Sequence, residues 1–264
     1  MRIEDGVLQE LHRAALEAGR PGVSVPSSDL DSVARRTGSR EAAQKAVQRL
    51  VKAERIVRVR KDLLVLPEVT GLLGVDMDGL IDAIASQPYL ITGGRALEHH
   101  QLTDQHFFGV IVLAASRVQK LTYRGQSATF LLTDPANIWG WEEGVHPQYA
   151  TAERAIIDVL NHPRYAVSVT QALDALVAAA SDDPSFLDRL AEAVVRYGSP
   201  SAARRVGLVV ERFFGLAAAL PYRELIGQNR SPVLMRPGGR PEGPLDATWR
   251  VVVNAELQPE KVLA

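Results

Sequence analysis

The 264-residue sequence contains no cysteine. That excludes disulfides, thiol catalysis and cysteine-built zinc sites. Long apolar runs are also missing. Val110–Ala115 and Val206–Val210 fall far short of the ~20 residues a bilayer-spanning helix needs, so no membrane association is expected. The first residues, Met1-Arg2-Ile3-Glu4-Asp5, are charged and hold no signal-peptide core, and together these features point to the cytoplasm. Recognisable catalytic motifs are absent too. Neither GxGxxG nor a GxxxxGK phosphate loop occurs, and Gly93-Gly94 reads as a tight turn. There is no GxSxG nucleophile elbow and no HExxH. His99 and His100 are adjacent, so on a helix they point about 100° apart and cannot readily share a metal. Asp182-Asp183 reads as a helix start before Pro184. Glu142-Glu143, beside Trp139 and Trp141 in a Gly-containing loop, reads as solvated. No enzyme, no metal and no cofactor are expected.

What is present is a globular composition, 46% hydrophobic and 23% charged, enough to bury a core. The formal net charge of −1 hides an asymmetry. From Arg35 to Lys61 the chain carries ten cations, Arg35, Arg36, Arg40, Lys45, Arg49, Lys52, Arg55, Arg58, Arg60 and Lys61, against two acids, Glu41 and Glu54. The window is thus at +8 and the remainder at −9. Such a split points towards nucleic acid.

Local structure strengthens that direction. Ile3, Val7, Leu8, Leu11, Ala14, Ala15 and Ala18 recur at helical spacing, and Gly19 and Pro21 stop the helix. Val23–Pro26 reads as a short strand. Ser27 or Ser28 is a cap for a second helix ending at Gly38, with Asp29 and Asp31 in its first turn. Ser39 caps a third, running to about Ala53. Its Ala43, Ala46, Val47, Leu50 and Val51 share one side, while Gln44, Lys45, Gln48, Arg49 and Lys52 lie opposite or at the edges. Arg55–Leu66 reads as two short strands around a basic turn at Arg60–Asp62. This order is that of a winged helix-turn-helix. The third helix would enter the major groove, with Gln44 and Gln48 suited to adenine edges and Arg40 and Arg49 to guanine or phosphate. Arg35, Arg36, Lys45 and Lys52 extend the cationic face. Arg58, Arg60 and Lys61 would reach phosphate or the minor groove from the wing.

After Pro67 a linker is expected over 68–77, separating a 1–67 DNA-binding domain from a larger mixed domain over 78–264. The latter opens with a helix near Met77–Gln87, then a strand, turn and helix over Tyr89–Leu102. A strand at Gly109–Ser116 and a hairpin of Gln119–Arg124 and Ser127–Leu132 follow. Helices are predicted at Thr151–Leu160, with Arg154 and Asp158 paired on its surface, and at Thr170–Ala180, Pro184–Tyr197 and Pro200–Phe214. After Pro221 the chain is turn-rich to Pro244, and a strand at Thr248–Val253 closes it. The fold class is α+β.

Several stretches resemble the AbiEi family of antitoxins. They are Tyr89–Leu102 with its Ala-Leu-Glu-His-His-Gln-Leu-Thr, Ala152–Leu160 followed by Pro163, Ser201–Glu211, and Trp249-Arg-Val-Val-Val-Asn254. The four occur in the family's order behind the N-terminal helices. Two departures stand out: His99-His100-Gln101 where the pattern has His-Gly, and an unusual Thr92-Gly-Gly-Arg95. The resemblance implies the antitoxin of a two-gene toxin–antitoxin operon. Such a protein also represses its own operon by binding double-stranded DNA at inverted repeats in the promoter. The C-terminal domain is then associated with control of a nucleotidyltransferase-like toxin. The toxin's own Gly-Ser followed by paired acids is not matched, because Gly38-Ser39 leads to Gln48-Arg49-Leu50. Arg204 and Arg205, read as exposed on the late helix, are the candidates for antitoxic contacts. Two other readings remain open: a one-component transcription factor with a small-molecule-sensing C-terminal domain, and an enzyme fused to a winged helix.

Overall fold

The computed structural model describes residues 3–67, 75–165, 167–227 and 231–258. Among them are ten α-helices and three small sheets, an α+β fold. The chain divides into two compact units, Met1–Gln87 with Val118–Ala128, and Pro88–Arg117 with Thr129–Ala264. The sequence reading sets the boundary at a 68–77 linker, of which 68–74 lie outside the described residues.

The first unit begins with α1 (Ile3–Glu17), β1 (Val23–Ser24), α2 (Pro26–Thr37) and α3 (Arg40–Lys52). β2 (Val57–Arg60), β3 (Leu63–Val65) and α4 (Met77–Ile84) follow. α2 starts differently from the Ser27 or Ser28 cap expected. Val25 is its N-cap and Pro26 its first residue. The Asp29 carboxylate reaches back to accept the Val25 N–H at 2.8 Å, and also takes Arg20 at 2.8 Å. This carboxylate serves the N–H of Val25 itself, and Val25 as N-cap makes no side-chain cap hydrogen bond. Gly38 ends α2 in the left-handed region, and Ser39 caps α3 by accepting from the Ala42 N–H. Val7, Leu11, Ala15, Leu30, Val33, Ala43, Val47, Leu50, Ile56 and Leu64 form the core. β1, β3 and β2 make an antiparallel sheet in that order, with an irregularity between Arg58 and Arg60. α4, capped by Asp76, packs near β1 within this unit, although the sequence reading gives it to the second.

The chain then enters the second unit with β4 (Tyr89–Thr92), α5 (Gly94–His99) and β5 (Gly109–Ala114). The hairpin of β6 (Leu121–Tyr123) and β7 (Gln126–Leu132) follows, and the unit boundary falls within β7, after Ala128. The strand order is β4-β5-β7-β6. Beyond it come α6 (Ala152–Asn161), α7 (Val169–Asp182), α8 (Phe186–Tyr197), α9 (Pro200–Phe214) and α10 (Leu216–Arg223). The short strands β8 (Val233–Leu234), β9 (Leu245–Asp246) and β10 (Val251–Val252) complete it, β10 lying parallel to β8 and antiparallel to β9. α10 contains Pro221, which the sequence reading takes as the start of turns. The closing strand is shorter than the predicted Thr248–Val253, because Trp249 sits in the turn before it.

α6 is the hub. It packs against α5, α7, α8, α9 and β4, and every residue from Glu153 to Leu160 is buried. The Arg154–Asp158 pair expected on its surface is therefore interior, at 3.0 Å with the side chains 4% and 1% exposed. The i,i+4 spacing is right, but packing on all sides leaves no solvated face. Thr92 adds an O–H donor to the same Asp158 oxygen at 2.7 Å. In α9, Gly207 lies where a Cβ would come within 2.1 Å of the Trp249 ring. The indole fills that space and donates to Glu211 at 2.6 Å. No helix among the described residues is long and apolar enough to cross a membrane.

Candidate nucleic-acid interface and pocket

α3 separates its two faces cleanly. Ala43, Ala46, Val47 and Leu50 are buried, while Gln44, Lys45, Gln48, Arg49 and Lys52 are exposed. Burial of the apolar face, at about 1.5–3 kcal/mol per Val or Leu side chain, fixes the helix. The polar donors on the other face are left outward. Arg40 opens the helix and pairs with Asp31 at 3.2 Å. Lys45 pairs with Glu41 at 2.7 Å, and Arg49 approaches Glu4 at 3.7 Å. Arg35 is exposed and donates to Ser32; Arg36 lies in the last turn of α2. Between β2 and β3, Arg58 and Lys61 are exposed, joined by a long contact from the guanidinium to the Lys61 carbonyl. Arg60 is half-buried and paired with Asp62 at 2.8 Å.

These pairs divide the cations into two sets. Arg40, Lys45, Arg49 and Arg60 hold intramolecular carboxylates, whereas Lys52, Arg58 and Lys61 have no ion-pair partner among the described residues. Exposed pairs are worth about 0–1 kcal/mol, so a phosphate can displace the carboxylate at little cost. The same unit gains Lys120 and Arg124 from the β6–β7 hairpin, both exposed, which the sequence reading does not include.

Arg204 and Arg205 are placed otherwise than expected. They are buried, 3% and 8% exposed, and not displayed on a surface. Arg204 donates to the carbonyls of Ser231 and Ile226, and Arg205 to the Leu234 carbonyl and the Asn161 side chain. Burial pulls Arg205 down to about 10, which still leaves it charged at neutral pH. Both arginines tie α9 to the segment carrying β8. Neither presents an antitoxic surface.

The second unit contains a pocket of about 690 Å³, within the range of small-molecule sites. Phe130, Asn137, Trp139, Arg154, His162 and Tyr197 are among its lining residues. The Arg154 guanidinium lies 4.4 Å from the Trp139 ring centroid and 5.1 Å from that of Tyr197. One of its nitrogens donates to the Asn137 carbonyl at 3.2 Å. His162 contacts the Tyr197 hydroxyl at 3.1 Å. Tyr165 and Tyr197 are pushed well up, first by burial and then by the charge of Asp158, so both stay protonated.

The paired histidines have local partners. His99 stacks on Tyr149 at 3.8 Å and His100 contacts the Ala150 carbonyl at 2.7 Å. Glu98 meets Arg95, His106 and the Phe107 N–H. No metal-holding group occurs among the described residues. Glu142 and Glu143 are exposed. Gln101, at the end of the His99-His100-Gln101 stretch, takes a left-handed φ of 58°.

Comparison with family models finds no match, and none of the curated proteins matches. Among solved structures the chain is similar to the RV2827C protein from Mycobacterium tuberculosis. The TM-score is 0.61 at 13% identity, over 96% of this chain and 90% of that one. At that identity the likeness concerns the fold alone.

Proposed function

We propose that the chain is a DNA-binding transcriptional autorepressor that acts as antitoxin to a nucleotidyltransferase-like toxin. The first unit is read as a winged helix-turn-helix, with α2 and α3 as the helix pair and the β2–β3 turn as the wing. The observation that carries this reading is α3. Its buried face is wholly apolar, and its outward face offers Gln44, Lys45, Gln48, Arg49 and Lys52 together. Long amide and cationic donors on one exposed helical face are what a major-groove reader needs. Cations at the adjacent turn supply phosphate contacts that fix orientation. Repression follows by occlusion of the promoter. The antitoxin role rests on the AbiEi-like motifs, which fall on β4–α5, α6, α9 and the segment ending in β10.

The test is a salt-titrated binding assay on DNA upstream of the protein's own gene, against scrambled DNA of equal length. A log–log salt slope of about −5, from roughly six phosphates neutralised, is expected, with preference for the native sequence. No binding to either DNA at low salt would overturn the reading. Co-expression with a neighbouring nucleotidyltransferase-like gene tests the antitoxin role, with restored growth as the expected result.

A second reading is a one-component transcription factor whose second unit senses a small molecule. The 690 Å³ pocket walled by Trp139 and Tyr197, with Arg154 and His162 in its lining, favours it. Release from DNA on adding a metabolite pool, lost in a Trp139→Ala variant, would select this reading over the first.

A further inference from the structure

We infer that the β6–β7 hairpin is a second finger of the DNA-binding surface, set beside β2 and directed to the phosphates of double-stranded DNA. The inference rests on the DNA-binding reading above.

Three observations carry it. The first is placement. The residues from Val118 to Ala128 belong to the same compact unit as α3 and the β2–β3 turn, and β6 lies against β2. The hairpin thus sits beside the strand that carries Arg58 and Arg60.

The second is charge. From Gln105 to Thr133 the chain has no acidic residue, and within the hairpin it has two cations, Lys120 and Arg124. Both are exposed and neither has an ion-pair partner among the described residues. They match Lys52, Arg58 and Lys61, and differ from the α3 cations that hold neighbouring carboxylates. Cations with no internal carboxylate partner are open to phosphate from the outset.

The third is the backbone. Tyr123 pairs with Gln126, so Arg124 and Gly125 are the whole turn. Both take left-handed φ values, 48° and 78°. A two-residue turn of this kind favours Asn, Asp or Gly at its first position, because a larger L side chain is strained there. Here the strained position is held by an arginine at the hairpin tip, its guanidinium 5.2 Å from the Tyr123 ring centroid. Strain of this sort, kept at an exposed tip that carries a cation, points to contact with an anion. Phosphate is favoured over base edges, since the residue at the very tip, Arg124, is a cation.

The test compares the full chain with two variants in the same salt titration. One is Lys120→Ala with Arg124→Asn. Asn suits the turn at least as well as Arg, so loss of binding cannot come from a broken hairpin, and circular dichroism checks the fold. The other is Arg58→Ala with Arg60→Ala and Lys61→Ala. The hairpin variant should flatten the log–log slope by about 1.8 and weaken binding roughly eightfold per lost contact at 0.1 M salt, alike on native and scrambled DNA. Unchanged slope and affinity in the hairpin variant, with clear weakening in the β2–β3 variant, would overturn the inference and leave the DNA-binding reading standing. Failure of the unaltered chain to bind either DNA would remove both.

Discussion

Gly207 shows how one residue is set by two opposed terms. A glycine inside α9 costs about 1 kcal/mol relative to alanine, so alanine would be the better helix former. The Trp249 ring occupies the place of the missing side chain, with the nearest carbon 2.1 Å from a built Cβ. Overpacking of this kind costs about 1–3 kcal/mol, which offsets the helical gain. Gly207→Ala is expected to lower stability in urea unfolding, and a rise would mean the indole has room to move. Asp158 makes the same point with charge. Asp158→Ala removes the partner of a buried Arg154 and should cost about 3–5 kcal/mol, less in the double variant that also replaces Arg154 by Met. The i,i+4 spacing of this pair is legible in the sequence. Its burial is not, because pair spacing is silent about which side of a helix meets solvent. Arg204 and Arg205 were open to the same misreading. The helix around them, with Ala202, Ala203, Val206, Gly207, Leu208, Val209 and Val210, is apolar nearly all round, and that is the available sign of an interior helix.

At the scale of elements, α3 is readable to within a residue because its cap Ser39 and the Ala43–Leu50 apolar stripe agree. Its exposed amides make a separable prediction. On the proposed DNA-binding reading, Gln44→Ala or Gln48→Ala should alter sequence preference, by about 1–3 kcal/mol per lost bidentate base contact, and leave the salt slope unchanged. Competition binding across single-base variants of the native site measures this. α2 starts before its serines because Pro26 takes the first helical position and Val25 stands as N-cap with no side-chain cap bond. α10 was missed because Pro221 lies within it, where proline normally signals an end. The turn between α7 and α8 offers a pH test. Hydrogen bonds from Arg189 and Ser185 hold the Asp183 carboxyl at about 2, against an ordinary 3.8. A carboxyl lowered in the folded state stabilises the fold above its unfolded value, and that contribution is lost as pH falls through about 2. An NMR titration should place the Asp183 midpoint near 2, and Arg189→Ala should return it towards the ordinary value.

At the scale of the molecule, a charge split read by segment survives errors in element boundaries. The +8 window coincides with the end of α2, α3 and the β2–β3 hairpin of the first unit. The contribution of Val118–Ala128 to that unit was not legible. Membership of a compact unit is a long-range property, and nothing local in the hairpin says which core it joins. Its only sequence mark is the acid-free stretch from Gln105 to Thr133. The pocket was equally hidden, since Phe130, Trp139, Arg154 and Tyr197 come from distant parts of the chain.

The split of the first unit across the sequence sets an order of events on the ribosome. Synthesis proceeds at about 5–20 residues per second. The segment ending at Ala128 therefore appears on the order of 2–8 s after Gln87, with Pro88–Arg117 of the other unit emerging between them. Helices α1 to α3 can fold from local contacts in that interval, but their unit is completed only when the later segment arrives and closes a loop of chain. Nascent chains with Gln87 just clear of the exit should therefore show protection from hydrogen exchange in α1 to α3 that reaches its final level only once Ala128 has cleared it.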